Sequence, residues 1–478
     1  MRKCIYLAAV VMIIAVVSQR QAEAAPNILL IIGDDMSVET LSSYGIGANP
    51  PKTAALDQLA IDGVQFSNFW SQPICSPTRA TIMTGRYGFR TGIGWPVGGV
   101  ATEPAIPARP AWAAFEGPGM GGGMAATNPT VPTPGLAPEE FTLPMALKAN
   151  PELGYSTAAI GKWHLADVDN GWQNHPNQVG FDHYSGLIPG ITESYFAWQK
   201  VVNGEFEPGV GYTPADKADD AIAWIDQQGD EPWFMWFAFN LPHTPLHLPP
   251  GENWQTDHDE LDRNAISAED SIAYFNSMIE AMDTQIGRVL ASIEPEVREN
   301  TYVIFLGDNG TIGRWISPPF DSARAKSTIF QGGVNVPLLI TGPGVARGAE
   351  SQALVNSSDL FFTIMEMAGI DPANTVPDEI TTDSVSFFST LSDADTPSPR
   401  EWIYADVFGG GHPGVADANY AIRDARYKLL RHEGLEQFYD LIDDPYENRD
   451  LLTRNLSGRE HAAYQDLSER VRQLRDSE

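Results

Sequence analysis

The chain contains several short apolar runs that each end in a cluster of polar residues. They cover residues 27–32, 155–160, 233–240, 301–306 and 336–341. Continuous apolar runs of this length are typical of strands that are buried on both faces, as in a parallel sheet. The pattern therefore predicts a buried, mostly parallel sheet whose strands end in polar groups.

Segments with a helical spacing of apolar residues lie between these runs. They cover residues 52–62, 143–149, 214–227, 268–293 and 358–368. Strands that alternate with helices predict an α/β fold, with helices flanking the sheet. Ligands of such folds bind outside the carboxyl ends of the strands, where the polar clusters of this chain fall. We therefore expect a functional site along that edge.

The last quarter of the chain has a different pattern. Short alternating runs at 402–407, 420–423, 427–431 and 437–441 precede a helical stretch at 461–474. This predicts a smaller α+β subdomain over residues 371–478 with an antiparallel sheet, after a larger domain over residues 25–370. Residues 94–138, rich in Gly and Pro, are predicted to form an insertion, either a disordered loop or a flap that faces the substrate.

The N-terminus has the pattern of a secretory signal peptide over residues 1–24. Arg2 and Lys3 precede an apolar stretch that is too short to span a membrane, and Ala22 and Ala24 offer a cleavage site. We expect export to the periplasm or the extracellular space after cleavage near Ala24, and no other stretch of the sequence predicts a membrane span. The net charge of −32 argues against nucleic acid as a partner.

Cleavage after Ala24 removes Cys4 and leaves Cys75 as the one cysteine, within the string CSPTRA. Pro77 suits the first turn of a helix, and Arg79 lies four residues after Cys75, on the same helix face. A helix N-terminus beside a guanidinium favours an anion, so an unmodified Cys75 thiolate would be open to oxidation. This setting favours a chemical role for Cys75 over an inert buried one.

Two pairs of oxygen-bearing side chains follow predicted strands. They are Asp34 with Asp35 and Asp308 with Asn309. Such oxygen ligands suit Ca²⁺ or Mg²⁺, and the sequence has no set of Cys and His residues with zinc spacing. One such pair alone would more often form a turn or a helix cap, but two pairs at strand ends favour a metal site.

These motifs resemble those of the type I sulfatases, a family in the alkaline phosphatase superfamily. The resemblance rests on the string CSPTRA at residues 75–80 with Thr84 and Gly85, and on GYSTAAIGKWH at residues 154–164. It extends over residues 26–452 and closes with FYDL at 438–441 and DPYE at 444–447. The resemblance implies the alkaline phosphatase-like sulfatase fold.

The resemblance also implies the cofactor. A formylglycine-generating maturation enzyme would convert Cys75 to formylglycine, whose hydrate attacks sulfur and carries a covalent sulfate. One Ca²⁺ ion per chain would be bound by Asp34, Asp35, Asp308 and Asn309 together with the converted residue 75.

Further roles follow from the same resemblance. Arg79, Lys162 and Lys326 would stabilise charge on the sulfuryl oxygens. His243 or Lys326 would protonate the leaving alcohol, and His164 would take the proton whose removal expels sulfate. His247, four residues after His243, is a weaker candidate for substrate contact. The sequence departs from the family pattern at Gln331, often Glu, and at Asn335, often Arg.

The predicted activity is therefore that of an arylsulfatase-like sulfuric ester hydrolase. We expect it to release inorganic sulfate from a sulfated small molecule or glycan, with a sulfated carbohydrate favoured as the natural substrate. The alternatives are a phosphodiesterase or phosphonate hydrolase of the same superfamily, and an inactive relative that only binds sulfated glycans. The sequence does not predict the oligomeric state.

Overall fold

The computed structural model describes residues 25–98, 132–263, 265–409 and 418–477. The predicted signal peptide and residues 99–131 of the predicted insertion lie outside the described residues. The described residues form two sheets. The strands of the large sheet are β1 (Asn27–Gly33), β2 (Val64–Trp70), β3 (Ser156–Lys162), β4 (His183–Leu187), β5 (Ala197–Val202), β6 (Glu205–Val210), β7 (Trp233–Ala238), β8 (Thr301–Gly307), β9 (Leu338–Thr341) and β10 (Ala349–Asn356).

Helices cover the large sheet and connect its strands. They are α1 (Ala54–Asp62), α2 (Cys75–Thr84), α3 (Gly88–Thr91), α4 (Leu143–Lys148), α5 (His175–Gln178), α6 (Thr213–Asp226), α7 (Ser271–Ser292), α8 (Pro295–Glu299), α9 (Gln331–Val334), α10 (Asp359–Met367) and α11 (Pro372–Thr375). Each of the five helical segments predicted from the sequence is present. Within the described residues, no helix is both long and apolar enough to cross a membrane.

The large sheet is mixed, with a parallel centre. Its strand order is β10-β2-β9-β8-β1-β7-β3-β4-β5-β6, and β8, β1, β7, β3 and β4 run parallel to one another. All seven residues of β1 are buried. Leu30 and Ile32 pack into the core on one face of the sheet, whereas Leu29 and Ile31 pack into the core on the other. Cores on both faces explain the continuous apolar runs in the sequence.

One predicted strand runs against expectation. The apolar run at 336–341 forms β9, which is antiparallel to both of its neighbours, β8 and β2. A parallel pair needs a long crossover connection, usually through a helix packed on the sheet. The chain between β8 and β9 contains only α9 and a short 3₁₀ helix at Ser322–Arg324, so β9 returns directly beside β8.

The second sheet is antiparallel, as predicted for the C-terminal region. It consists of β11 (Ile403–Val407), β12 (Asn419–Arg423), β13 (Tyr427–His432) and β14 (Leu435–Asp440). Helix α12 (Gly458–Asp476) covers it through Leu467 and Val471. One apolar cluster joins this sheet to the large domain, because Leu430 and Tyr439 pack with Trp70 and Cys75. The second sheet therefore lies directly behind the segment that contains Cys75.

Candidate active site

The two predicted metal-binding pairs lie side by side at the carboxyl edge of the parallel strands. Gly33 at the end of β1 pairs with Gly307 at the end of β8, so Asp34-Asp35 and Asp308-Asn309 leave the sheet together. The Asp35 amide donates to Asp308 Oδ1 at 3.3 Å, and Asn309 Nδ2 donates to Asp35 Oδ1 at 2.8 Å. All four side chains are buried.

Cys75 is the first residue of α2, at the same edge. It is 3% exposed, and its Sγ lies within 4.8 Å of carboxylate oxygens of Asp34 and Asp308. Burial raises the pKa of the Cys75 thiol, although the charges of Lys162 and Lys326 oppose this shift. Desolvation thus outweighs the neighbouring cations and disfavours the thiolate form that the sequence pattern suggested.

The Arg79 guanidinium is buried and already paired within the protein. Its guanidinium donates from Nε and Nη2 to Asp308 Oδ2, at 3.1 and 2.8 Å, and from Nη1 to the Lys162 carbonyl at 2.8 Å. Both charged side chains are fully buried. Arg79 therefore ties the helix of Cys75 to the ends of β8 and β3 and supplies positive charge beneath the site.

Each of the two site lysines contacts a carboxylate of the predicted metal site. Lys162, the last residue of β3, lies with Nζ 2.5 Å from Asp34 Oδ2. Lys326 Nζ pairs with Asp35 Oδ1. Burial alone would lower the pKa of Lys326, but the Asp35 carboxylate raises it above its ordinary value. The same pairing lowers the pKa of Asp35, although burial alone would raise it.

His164 lies against Cys75. Its Nδ1 is 3.2 Å from Cys75 Sγ, and its backbone N–H donates to the Ile188 carbonyl at 3.0 Å. Burial, followed by the charges of Lys162 and Arg79, lowers the pKa of His164 well below its usual value. The imidazole is therefore neutral near pH 7 and able to accept a proton from a group at position 75.

His243 faces the site from the turn that follows β7. Its Nδ1 lies 2.9 Å from the Thr244 carbonyl, and its Nε2 lies 4.0 Å from Asp35 Oδ2. A carbonyl only accepts, so the proton of a neutral ring lies on Nδ1 and Nε2 can donate only after a second protonation. Burial lowers the pKa of His243, although Asp35 opposes this shift. Lys326 is therefore the better protonated of the two candidate acids.

The donor set fits a hard divalent cation. Asp34 Oδ1, Asp35 Oδ2 and Asn309 Oδ1 are buried and have no hydrogen-bond partner among the described residues. Buried oxygens of this kind are normally satisfied, so three together indicate a missing positive partner. Two ligands on opposite sides of Ca²⁺ lie up to about 5 Å apart. The 4.8 Å limit that encloses the ligand atoms of Asp34, Cys75 and Asp308 agrees with this.

Three further predicted residues are placed by the structure. His247 is 1% exposed and stacks on Tyr195, with Nδ1 3.2 Å from the Pro245 carbonyl and Nε2 3.1 Å from the Tyr212 hydroxyl. Its contact with a substrate stays a prediction. Gln331, where the sequence departs from the family pattern, accepts from Trp70 Nε1 at 2.9 Å. Asn335 forms an isolated bridge with Trp70.

Sequence reasoning missed two residues that shape the site. Gly190 lies directly on the His164 ring, because a Cβ added there would lie 2.1–2.4 Å from three ring atoms. Lys217 is buried behind the turn of His243. A signal for Lys217 was present, since it shares the apolar face of α6 with Ala221 and Trp224 at helical spacing. No pattern in the sequence indicated Gly190.

Comparison with known families gives two matches. The family model described as "Sulfatase" matches residues 26–370. A second, described as "N-sulphoglucosamine sulphohydrolase, C-terminal", matches residues 323–477.

Comparison with individual proteins agrees with the family matches. The chain is 29% identical to N-acetylgalactosamine-6-sulfatase of Homo sapiens over 77% of its own length and 66% of the relative. It is 27% identical to the ulvan-active sulfatase of Formosa agariphila, over 91% of its own length and 79% of the relative. The solved structure of Ps i-CgsB in complex with k-i-k-neocarrahexaose superimposes with a TM-score of 0.72 at 22% identity, covering 94% of this chain and 93% of that one. The chain thus spans slightly less than two thirds of the human relative, and the structural likeness shows a shared fold.

Proposed function

This chain belongs to the sulfatase family, and on that premise we propose that it hydrolyses sulfate esters of carbohydrates to an alcohol and inorganic sulfate. One observation carries the proposal. Cys75, the buried Arg79 and Lys162, the partly buried Lys326 and three oxygens without a partner among the described residues converge at one edge of the sheet. The names of its relatives support a sugar substrate, since one is an N-acetylgalactosamine-6-sulfatase and a structural neighbour was solved with a neocarrahexaose.

Cations beside Cys75 would bind the sulfuryl group. Lys162 and Lys326 lie close enough for their charges to act on Cys75, and Arg79 lies one helical turn away. Positive groups that are already fixed in place stabilise the charge that develops on the sulfuryl oxygens without further reorganisation. Arg79 is fixed most firmly, because its guanidinium is held by Asp308 and by the Lys162 carbonyl.

We assign the metal site to Ca²⁺, bound by Asp34, Asp35, Asp308, Asn309 and residue 75. The ion would supply positive charge beside the nucleophile and lower the pKa of a hydroxyl there. In the structure, Lys162 and Lys326 neutralise Asp34 and Asp35, and Arg79 neutralises Asp308. These three pairs explain how three carboxylates remain buried together.

Conversion of Cys75 to formylglycine by a maturation enzyme completes the proposal. Its hydrate would supply one hydroxyl to attack sulfur and a second whose deprotonation expels sulfate. The 3.2 Å between His164 Nδ1 and Cys75 Sγ, together with the lowered pKa of His164, supports a role for His164 in that deprotonation. Lys326, or His243 once it is protonated on Nε2, would give the proton to the leaving alcohol.

The test compares substrates on enzyme produced with the maturation enzyme. We expect release of sulfate from sulfated sugars and from an aryl sulfate, and far slower hydrolysis of an aryl phosphodiester. A preference for the phosphodiester would establish the alternative activity. Binding of sulfated glycans without release of sulfate would establish an inactive relative. The presence of every predicted site residue in the sequence argues against that alternative.

Cys75 itself provides the second arm of this test. Mass spectrometry of the peptide that contains residue 75 should show an aldehyde in the active enzyme, and Cys75→Ala should release no sulfate. Full activity in protein whose residue 75 is an ordinary thiol would refute the formylglycine mechanism. We further propose that residues 1–24 direct export, which N-terminal sequencing of the exported protein would test.

A further inference from the structure

Lys217 is a buried cation to which the proposed reaction gives no role. It lies in the second turn of α6, is 2% exposed, and shares its helix face with Ala221 and Trp224. Burial lowers the pKa of its ammonium to about 7. The charge of Asp216 opposes this shift, whereas the charges of Arg79 and Lys162 add to it, so Lys217 lies within electrostatic reach of the site.

Within the described part of the chain, the ammonium of Lys217 donates to a single group, the side-chain oxygen Oδ1 of Asn240. Asn240 is 2% exposed and follows the end of β7. Its Nδ2 is buried and has no partner among the described residues. Among the described residues, Lys217 therefore makes the one side-chain hydrogen bond that fixes the rotation of the Asn240 amide.

Asn240 opens the turn that presents His243. The Asn240 carbonyl accepts from the His243 backbone N–H at 2.8 Å. The Tyr195 hydroxyl lies 2.6 Å from the same carbonyl and 2.7 Å from that of His243. The hydrogen bond from Lys217 therefore anchors Asn240, the first residue of this short turn. The last residue of the turn is His243, which faces Asp35.

We propose that Lys217 is a positioning residue that acts through Asn240 to hold His243 at the leaving-group side of the site. The inference rests on the proposed function, and it assigns the protonation of the departing alcohol to His243 rather than to Lys326. Packing does not account for the ammonium. An apolar side chain of similar length would fill the same face of α6 without the cost of burying a charge.

The experiment compares two sulfate esters in Lys217→Met. An alkyl or sugar alcohol is a poor leaving group and needs a proton from the enzyme, whereas a nitrophenolate departs without one. We expect kcat to fall about 10²-fold on the sugar sulfate, the lower end of what acid catalysis contributes, and less than about threefold on nitrophenyl sulfate. Equal losses on both esters, or unchanged rates on both, would overturn the proposal.

Lys200→Met is the matched control. Lys200 also packs on α6, where it pairs with Asp216 and Asp220, but it does not contact Asn240. This variant should keep the leaving-group dependence of the parent.

Asn240→Ala tests separately whether Lys217 acts through Asn240. If Lys217 acts through Asn240, then Lys217→Met should change kcat little in the Asn240→Ala background, whereas additive losses would contradict the pathway.

A readout without turnover separates this inference from the proposed function. The imidazole nitrogen resonances of His243 in ¹⁵N-histidine-labelled protein report its tautomer and its Nδ1 hydrogen bond. We expect them to shift in Lys217→Met and to stay unchanged in Lys200→Met. A parent that hydrolyses no sulfate ester would refute the proposed function, whereas unshifted His243 resonances in Lys217→Met would refute the positioning role alone.

Discussion

At the scale of single residues, metal binding should affect both stability and activity. The reason is that Asp34, Asp35 and Asn309 each have a buried oxygen with no hydrogen-bond partner among the described residues. A cation that binds only the folded chain raises its stability, by about 2.7 kcal/mol at a hundred times the dissociation constant. We expect Ca²⁺ to raise the melting temperature of the parent, and Asp35→Ala to abolish both this increment and turnover. Thermal melts with chelator, Ca²⁺ and Mg²⁺ would measure the effect and identify the preferred ion.

Asp219→Ala is the control for that experiment, because Asp219 is an exposed carboxylate that pairs with Arg288 away from the site. It should retain the full response to Ca²⁺. An equal response in Asp35→Ala would remove Asp35 from the metal site.

Gly190 gives the second residue-scale prediction. A methyl group there would overlap the His164 ring, which can rotate away and so leave its place beside Cys75. We expect Gly190→Ala to keep the melting temperature within a few degrees and to lose about 10²-fold in kcat, the size of a lost general base. Gly251→Ala, where nothing lies within 4 Å of the added carbon, should match the parent. Parent-like turnover in Gly190→Ala would show that the ring has room to remain.

The sequence identified the residues of this site that follow strands or lie in long motifs. Asp34, Asp308 and Lys162 could be predicted because buried strands show as apolar runs in the sequence. The carboxyl ends of these parallel strands meet at one edge of the sheet. Gly190 could not be predicted, because its importance depends on a loop that folds back onto His164. The pairing of Lys326 with Asp35 joins positions 291 residues apart, and no local pattern reports such a contact.

At the scale of elements, the central strands were predictable and the outer ones were not. Strand β10 exposes Glu350 and Gln352 on either side of the buried Ser351, which leaves only a short apolar run. Strand β2 lacks a continuous apolar run because it contains Gln65, Ser67 and Asn68. The direction of β9 was also not predictable, because β9 is as apolar as the parallel strands at the centre of the sheet and only its connection makes it antiparallel.

The segment that follows Lys326 is held in place by the second sheet. Lys428 of β13 is fully buried, donates to the Ile329 carbonyl at 2.7 Å and lies 2.6 Å from Glu447. The Glu447 carboxylate also accepts from the Gln331 backbone N–H at 2.6 Å. Strand β13 and the turn that follows β14 thus brace the segment after Lys326, the lysine that we propose to act in catalysis.

We expect Glu447→Gln to destabilise the chain by roughly 3–5 kcal/mol, because it leaves the Lys428 ammonium buried without a counter-charge. The double variant Glu447→Gln with Lys428→Met should recover part of that loss, since no uncompensated charge remains. Urea unfolding of the single and double variants would measure both effects. A double variant that is less stable than Glu447→Gln would show that the pair does not act as a unit.

At the scale of the whole molecule, Asp406 lies where the two parts of the chain meet. Its backbone N–H donates to Gln72 Oε1 of the large domain at 3.0 Å, and its Oδ2 accepts from the Tyr404 hydroxyl at 3.3 Å. Arg475 of α12 donates to that same hydroxyl at 3.1 Å. Burial raises the pKa of Asp406 to about 7, although the charge of Arg475 opposes the shift. The docking of the C-terminal helix is therefore linked to a carboxyl that titrates near neutral pH.

The raised pKa of Asp406 predicts how the stability of the chain depends on pH. A carboxyl whose pKa is raised by folding stabilises the folded state below its unfolded value of about 4 and loses that contribution as the pH rises through about 7. Asp406→Asn stays neutral throughout, so its melting temperature should gain on that of the parent between pH 5 and pH 8. Asp443→Asn, which removes an exposed carboxylate, should run parallel to the parent over this range. A constant difference between Asp406→Asn and the parent would mean that Asp406 is already ionised at pH 5, and that Arg475 rather than burial controls its charge.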